Sequence, residues 1–82
     1  MWYTYVVACS DGTYYAGVTT DLARRVMEHN EGTGAKYTRG RRPVKKVYHE
    51  EYENQSEAQK REVMIKRMTR AEKNILVATA IH

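Results

Sequence analysis

Short runs of aromatic and β-branched residues alternate with polar turns in the first half of this chain. Trp2–Cys9 and Thr13–Val18 have this composition, which predicts two β-strands. Ser10-Asp11-Gly12 between them is typical of a tight turn, so the two strands are predicted to form an antiparallel hairpin. Pro43–Tyr52 has a similar pattern and predicts a third strand.

The loop of the hairpin sets the pairing of its strands. A two-residue turn at Asp11-Gly12 would place Tyr5 and Tyr15 on opposite faces of the sheet. A three-residue loop, Ser10 to Gly12, puts Gly12 in the left-handed conformation that such loops need. It also places Tyr5 and Tyr15 on one face, with Gly17 opposite Tyr5, and gathers small and apolar residues on the other face. We therefore predict the three-residue loop.

Apolar residues three or four positions apart predict a helix after the hairpin. This helix is expected to be capped by Thr19, Thr20 or Asp21, to run to about Asn30, and to be terminated by Gly32 and Gly34. Its inward stripe is predicted to contain Leu22, Val26 and the side of His29.

Two further helices are predicted near the end of the chain. The first begins at a capping box of Ser56 and Gln59, and its inward residues are Ala58, Ile65 and Met68. The second begins at a capping box of Thr69 and Glu72 and contains Ile75 and Leu76. The predicted fold is α+β: a small three-stranded antiparallel sheet flanked by helices, in the order β-β-α-β-α-α. We expect one domain, residues 1–82.

Composition places this domain among small soluble proteins. The chain has 82 residues and one cysteine, Cys9, so no internal disulfide supports its core. No apolar stretch approaches the length of a membrane span, and no signal peptide is evident. We expect a cytoplasmic protein that does not bind membranes.

Charge is unevenly distributed along the chain. Fourteen Lys and Arg against ten Asp and Glu give a net charge of +4. The segment 36–46 holds six basic residues and no acidic one. A solvated surface is the simple explanation, but an interleaved tyrosine favours a loop that follows nucleic-acid phosphates. We predict a basic loop over residues 36–42, which continues into the start of the third strand. Its candidate nucleic-acid-binding residues are Lys36, Tyr37, Arg39, Arg41, Arg42 and Lys45.

A second group of residues has the chemistry to act on a phosphodiester. Arg25 can bind a phosphate through its guanidinium, and His29, four positions later, lies only about 40° away around the helix axis. Tyr5 and Tyr15 supply phenolic oxygens on one face of the hairpin. Glu62 lies toward the inner face of its predicted helix, where an unpaired carboxylate is costly. A bond from Glu62 to Lys66 on its own helix is the structural alternative.

These residues resemble the GIY-YIG nuclease superfamily, in particular its short stand-alone bacterial branch. Tyr3-Thr4-Tyr5 stands at the position of Gly-Ile-Tyr, and Tyr15-Ala16-Gly17 stands at that of Tyr-Ile-Gly. Arg25, His29 and the segment Gly34-Ala35-Lys36-Tyr37-Thr38 continue the pattern, as does Arg61-Glu62 on a later helix. Tyr3 departs from the motif's glycine, and Ala16 from its isoleucine; Tyr3 and Gly17 are taken as structural parts of the motif.

The resemblance implies a metal-dependent endonuclease, a hydrolase of DNA phosphodiester bonds with a role in DNA repair or processing. By position, Arg25 would stabilise charge on the phosphate, Glu62 would hold a divalent cation, Mg²⁺ or Mn²⁺, and His29 would support the network. Either Tyr5 or Tyr15 would activate the attacking water. Branched or single-stranded DNA is the expected substrate, because no base-reading element is evident. A protein partner that supplies specificity would suit so small a domain.

Two other functions are compatible with the same residues. The domain could bind DNA or RNA through Arg25 and the basic segment without cutting it. It could also be a protein-interaction domain that uses the acidic segment Glu50–Glu57. The three functions differ in what they predict. An endonuclease cleaves DNA, a nucleic-acid-binding module shows salt-sensitive binding without cleavage, and an interaction domain binds protein without nucleic acid.

Overall fold

The fold is described by a computed structural model for residues 1–79, and the last three positions of the predicted domain lie outside the described residues. The α+β class is confirmed, and the order β-β-α-β-α-α gains one additional helical turn. The elements are β1 (Trp2–Ala8), β2 (Tyr14–Thr19), α1 (Leu22–Glu31), α2 (Lys36–Arg39), β3 (Lys45–Tyr52), α3 (Gln55–Lys66) and α4 (Arg70–Ala78). Within residues 1–79, each helix is too short or too polar to span a lipid bilayer.

The β1–β2 hairpin has the register of the three-residue loop. Tyr5 pairs with Gly17, and the Cys9 amide donates to the Thr13 carbonyl over 2.8 Å. Gly12 has a φ of +85°, a left-handed conformation that residues with a Cβ rarely adopt. The predicted register is therefore confirmed, and Tyr5 and Tyr15 share a face.

The sheet has the strand order β2-β1-β3 and separates two small cores. On one face, Val6 and Ala16 pack against Ile65 of α3. On the other face, Tyr5 and Val7 pack with Cys9, Val44 and the apolar side of α1. The Thr4 hydroxyl donates to the Ala58 carbonyl over 2.7 Å and fixes α3 to the central strand.

Helix α1 begins and ends close to its predicted boundaries. The Asp21 side chain accepts a hydrogen bond from the Arg24 amide over 3.1 Å, so Asp21 is the N-cap. Gly32 ends the helix with a φ of +85°. Leu22 and Val26 pack against the core, and His29 is completely buried.

Three predictions about local structure were wrong. The segment 36–42 is not a continuous loop, because Lys36–Arg39 forms the helical turn α2. Helix α3 is capped by Asn54, whose side chain accepts from the Glu57 amide, and not by Ser56 with Gln59. It ends at Lys66, so Met68 lies beyond it, although Met68 packs inward against the core and Ala58 and Ile65 are buried, as predicted. The capping box of Thr69 and Glu72 at the start of α4 is confirmed.

A carboxylate between β3 and α3 holds these elements together. Glu50 accepts hydrogen bonds from the hydroxyls of Tyr48 and Tyr52. It also accepts from Arg61 Nε over 3.0 and 3.1 Å, which forms an ion pair across the two elements. Burial opposes ionisation of Glu50, but these hydrogen bonds and the Arg61 charge outweigh it and lower its pKa below 4.5.

We expect Glu50→Gln to lower the free energy of unfolding near neutral pH by about 1–3 kcal/mol, because it leaves a partly buried Arg61 without its counter-charge. Urea denaturation measures this loss. Glu51→Gln, at the exposed neighbouring position, is the control and should change stability little.

The pH dependence gives a second check. The contribution of Glu50 is present above its unfolded-state pKa and is lost as pH falls through its lower folded-state pKa. The stability difference between wild type and Glu50→Gln should therefore shrink under acid conditions. A difference that stays constant into strong acid would contradict the ionic role of Glu50.

Candidate active site

The Tyr5 hydroxyl is the central atom of the candidate site. Tyr5 is 1% exposed, and its oxygen lies 2.7 Å from His29 Nε2. Arg25 Nε donates to the same oxygen over 3.4 Å. One phenol therefore connects β1 to an arginine and a histidine that lie one turn apart on α1.

Two glycines make room for this cluster. A Cβ at Gly17 would lie 2.4 Å from the Tyr5 hydroxyl oxygen and 2.6 Å from its Cζ. A Cβ at Gly34 would lie 2.5 Å from His29 Nδ1. The glycine of Tyr15-Ala16-Gly17 thus lets the Tyr5 side chain cross β2, the strand opposite its own.

A chain of hydrogen bonds defines the tautomer of His29. Thr38 has one hydroxyl proton, which it donates to the Ala35 carbonyl over 3.0 Å. With that assignment, His29 Nδ1, 2.8 Å from the Thr38 oxygen, is the donor in their hydrogen bond. The opposite tautomer would let Nδ1 accept from the Ala35 amide, but that contact, at 3.4 Å, is the longest around this ring. We therefore infer that Nε2 is unprotonated and accepts from Tyr5.

Burial keeps both members of the central pair neutral. Desolvation raises the pKa of Tyr5 to about 12, with smaller increases from Tyr15 and Glu62, although the hydrogen bond and charge of Arg25 act in the other direction. Desolvation, together with the Arg25 charge, also lowers the pKa of His29 below 6.5. The resting state is a phenol hydrogen-bonded to a neutral imidazole.

Tyr15 contributes its ring and not a hydrogen bond to this cluster. Its ring meets His29 edge-on, with centroids 5.5 Å apart, and stacks on Tyr37 at 5.6 Å. Lys66 Nζ lies 5.4 Å from the centroid of the Tyr15 ring. In residues 1–79 the Tyr15 hydroxyl has no protein partner within hydrogen-bonding distance, so Tyr5 alone is part of the Arg25–His29 network.

Glu62 comes from α3, and its charge acts on Tyr5. Its side chain is 21% exposed and pairs with Lys66 Nζ over 3.3 Å, so the structural alternative considered from the sequence is present. The described residues include no cluster of three His, Cys, Asp or Glu side chains that could hold a metal. A single carboxylate still fits Mg²⁺, which usually binds one or two carboxylates, substrate phosphates and several waters. A cation bound there would compete with Lys66, which pairs with Glu62 Oε2.

The basic segment has both structural and free charges. Arg41 stacks on the Tyr37 ring at 4.0 Å, donates to the Tyr37 carbonyl and pairs with Asp11 of the hairpin loop over 3.0 Å. Arg42 donates to the carbonyls of Arg39 and Asn30 and so attaches α2 to the end of α1. Within residues 1–79, the cations of this segment that are exposed and outside any ion pair include Lys36, Arg39 and Lys45.

The structure thus brings Tyr5, Tyr15, Gly17, Arg25 and His29 together, with Glu62 at the edge of the group. Tyr3 lies apart, with its ring 6.0 Å from that of His49. Sequence reasoning missed two contacts. Thr38, in the motif segment that begins at Gly34, orients His29, and Lys66, which was considered only as a partner of Glu62, also lies over the Tyr15 ring.

The chain is similar to a known protein family and to proteins of several organisms. The family model of the GIY-YIG catalytic domain matches residues 1–75. A UPF0213 protein of Halobacterium salinarum is 57% identical over 76 residues, which cover 93% of this chain and 99% of that protein. A UPF0213 protein of Desulfotalea psychrophila is 52% identical over 77 residues, with 93% and 70% covered.

Solved structures have the same fold. The solution NMR structure of a UPF0213 protein from Bacillus halodurans is 41% identical, with a TM-score of 0.61, and the match covers 96% of this chain and 85% of that one. The solution NMR structure of a protein from E. faecalis is 47% identical, with the same TM-score and coverage of 94% and 82%.

Replacement of Gly17 by alanine is expected to displace the Tyr5 ring, because the new Cβ would overlap its hydroxyl. The loss of stability should be about 1–3 kcal/mol, the usual cost of overpacking. Urea denaturation gives this value, and the NMR signals of the His29 ring report loss of its Tyr5 bond. Gly40→Ala is the control, since nothing lies within 4 Å of the position of its Cβ.

Stability is expected to fall as pH decreases below about 6.5, because the unfolded chain then binds a proton that buried His29 resists. The free energy of unfolding, measured from about pH 7.5 to about pH 5.5, should show this slope, and the NMR titration of His29 should have a midpoint below 6.5. His29→Gln should reduce the slope. A slope unchanged in this variant would show that His29 is not its source.

Proposed function

Because the chain belongs to the GIY-YIG family, we propose that it is a metal-dependent endonuclease that hydrolyses DNA phosphodiester bonds. The observation that carries this proposal is the position of the Tyr5 hydroxyl, which lies within hydrogen-bonding distance of both Arg25 and His29. A proton-transfer group and a fixed cation beside one point are two of the requirements of phosphodiester hydrolysis.

Arg25 is proposed to stabilise the negative charge that develops on the phosphate. Its Nε is directed to Tyr5, and its Nη1 lies 3.2 Å from Glu28 on the same helix. The guanidinium is therefore restrained before substrate binds, which reduces the reorganisation needed in the transition state. Arg24, the exposed neighbour, has no such contacts with its side chain in residues 1–79.

Tyr5 and His29 are proposed to act as one proton relay. With a pKa of about 12, Tyr5 is a poor base if it must first become a phenolate. In the proposed step, the Tyr5 oxygen accepts a proton from the attacking water while its own proton passes to His29 Nε2. The phenol then never carries a full negative charge, which its burial would oppose.

Glu62 is proposed to hold the divalent cation, Mg²⁺ or Mn²⁺. When bound, such an ion neutralises charge on the phosphate and the leaving oxygen. Lys66, released from Glu62, would remain near the Tyr15 ring, where it can attract the DNA backbone.

The substrate is proposed to be structured or single-stranded DNA, in a repair or processing reaction in the cytoplasm. Lys36, Arg39 and Lys45 are the proposed backbone contacts from the basic segment, with Tyr37 beside them. We propose that the whole chain is one such domain and that a protein partner adds specificity.

A non-cleaving nucleic-acid-binding module is the second candidate. It is favoured by the Glu62–Lys66 ion pair, which neutralises the side chain proposed to bind the metal in the resting protein. In that case Arg25 and the exposed lysines would bind phosphate, and Glu62 would only anchor Lys66.

Incubation with branched, single-stranded and duplex DNA in Mg²⁺ or Mn²⁺ tests these candidates. We expect cleavage, reduced by about 10²-fold or more in Arg25→Ala, Glu62→Gln and Tyr5→Phe, because each removes a group used in the transition state. Arg24→Ala is the matched control and should cut like wild type. Tyr15→Phe should retain more activity than Tyr5→Phe, since only Tyr5 contacts His29 Nε2.

Salt-sensitive binding without cleavage of any substrate in either metal would support the binding module and contradict the enzyme. Equal activity in wild type and Tyr5→Phe would contradict the proton relay.

A further inference from the structure

A small cleft lies at the free edge of β2, outside the Tyr5 cluster. It has a volume of about 200 Å³ and is lined by Thr13, Tyr14, Tyr37, Arg70 and Lys73. Its walls therefore come from the hairpin, α2 and α4. The Tyr14 hydroxyl donates to Asn74 over 2.8 Å, which fixes α4 against this edge.

The cleft is continuous with the candidate active site through aromatic rings. Tyr37, which lines it, stacks on Tyr15, and Tyr15 meets His29 edge-on. Lys66 adds a cation beside the same Tyr15 ring. A nucleic-acid strand that leaves the candidate active site past Tyr15 would therefore contact Tyr37 next.

The charge of the cleft is unbalanced. Arg70 lies 5.0 Å from the centroid of the Tyr14 ring, and Lys73 lines the cleft beside it. Neither side chain has a carboxylate within 4.0 Å in residues 1–79, and no acidic residue lines the cleft. A polyanion complements such a surface.

Helix stability does not account for the Arg70 charge. Arg70 is the first residue of α4, where the helix dipole favours anions and disfavours cations. The contact with the Tyr14 ring is of similar size and offsets this penalty. The Arg70 charge therefore adds little net stability and is available to a ligand.

We propose that this cleft, with Arg70 and Lys73 as its phosphate contacts, binds a single strand of DNA as it leaves the candidate active site. That the ligand is DNA rests on the proposed function. Tyr37 is stacked between Tyr15 and Arg41, and Arg70 lies over the Tyr14 ring, so the two tyrosines offer their ring edges to the cleft. An unpaired base can enter a cleft of about 200 Å³ and contact these edges, whereas a paired base in a duplex cannot, so a single strand is favoured.

The test is binding of a fluorescent oligothymidylate of about twelve nucleotides, a length in the range of small single-strand sites. Fluorescence anisotropy is followed over a range of salt concentrations in EDTA, so that cleavage cannot contribute. Arg70→Gln/Lys73→Gln should bind at least about fivefold more weakly, with a log–log salt slope smaller by about 1.4, or 0.7 for each lost contact. Its thermal midpoint should be close to that of wild type, because the lost Tyr14 contact and the relieved dipole interaction are of similar size.

Arg24→Gln/Lys60→Gln is the matched control, because it removes the same charge from two exposed positions outside the cleft. It should bind within about twofold of wild type if the location of the charge matters. Lys73→Gln alone leaves the Arg70–Tyr14 contact in place and should weaken binding by a smaller factor. This single variant keeps the test decisive if the double variant unfolds.

Binding by the double variant that equals wild type, or no binding by wild type, would overturn the inference. An equal loss for a duplex would show a general phosphate site and overturn the single-strand assignment. Cleavage by wild type with no effect of Arg70 and Lys73 would leave the proposed function standing. Binding that depends on Arg70 and Lys73, without cleavage in any metal, would support the proposed DNA-binding cleft and contradict the proposed endonuclease activity.

Discussion

The hydrogen bond between Tyr5 and His29 connects every part of the candidate site. Both side chains are almost completely buried, and an unsatisfied polar group at such a position costs about 1–3 kcal/mol. The central strand and α1 must therefore keep these groups together, and Thr38 must supply the partner of the other ring nitrogen. The Thr38 contact satisfies this second ring nitrogen and is the basis on which the tautomer of His29 is inferred.

Burial also determines what this pair can do chemically. The phenol and the imidazole are both held neutral, so neither is a strong base or acid by itself. A relay suits this environment, because a proton can move through Tyr5 to His29 without a stable phenolate. Arg25 lies on the phenol oxygen and can stabilise partial charge there during the transfer.

The sequence predicted those features that depend on local chemistry. Gly12 determined the hairpin register, and that register placed Tyr5 opposite Gly17. The N-cap of α3 was wrong because Asn54 with Glu57 and Ser56 with Gln59 offer competing caps, and the path of the chain after β3 selects between them. The turn α2 has only four residues and hence no periodicity to detect. Arg41, just after this turn, pairs with Asp11, thirty positions earlier in the chain, which local patterns do not reveal.

Helix α3 shows how so short a chain combines folding and function. Arg61 and Glu62 are adjacent, so their side chains leave the helix about 100° apart. Arg61 is bound by Glu50 of β3, and this contact, with buried Ala58 and Ile65, fixes the rotation of the helix about its axis. Glu62 therefore leaves the helix on a different side from Arg61, and its charge contributes to the raised pKa of Tyr5. The ion pair that stabilises the fold therefore also positions the only carboxylate proposed to bind the metal.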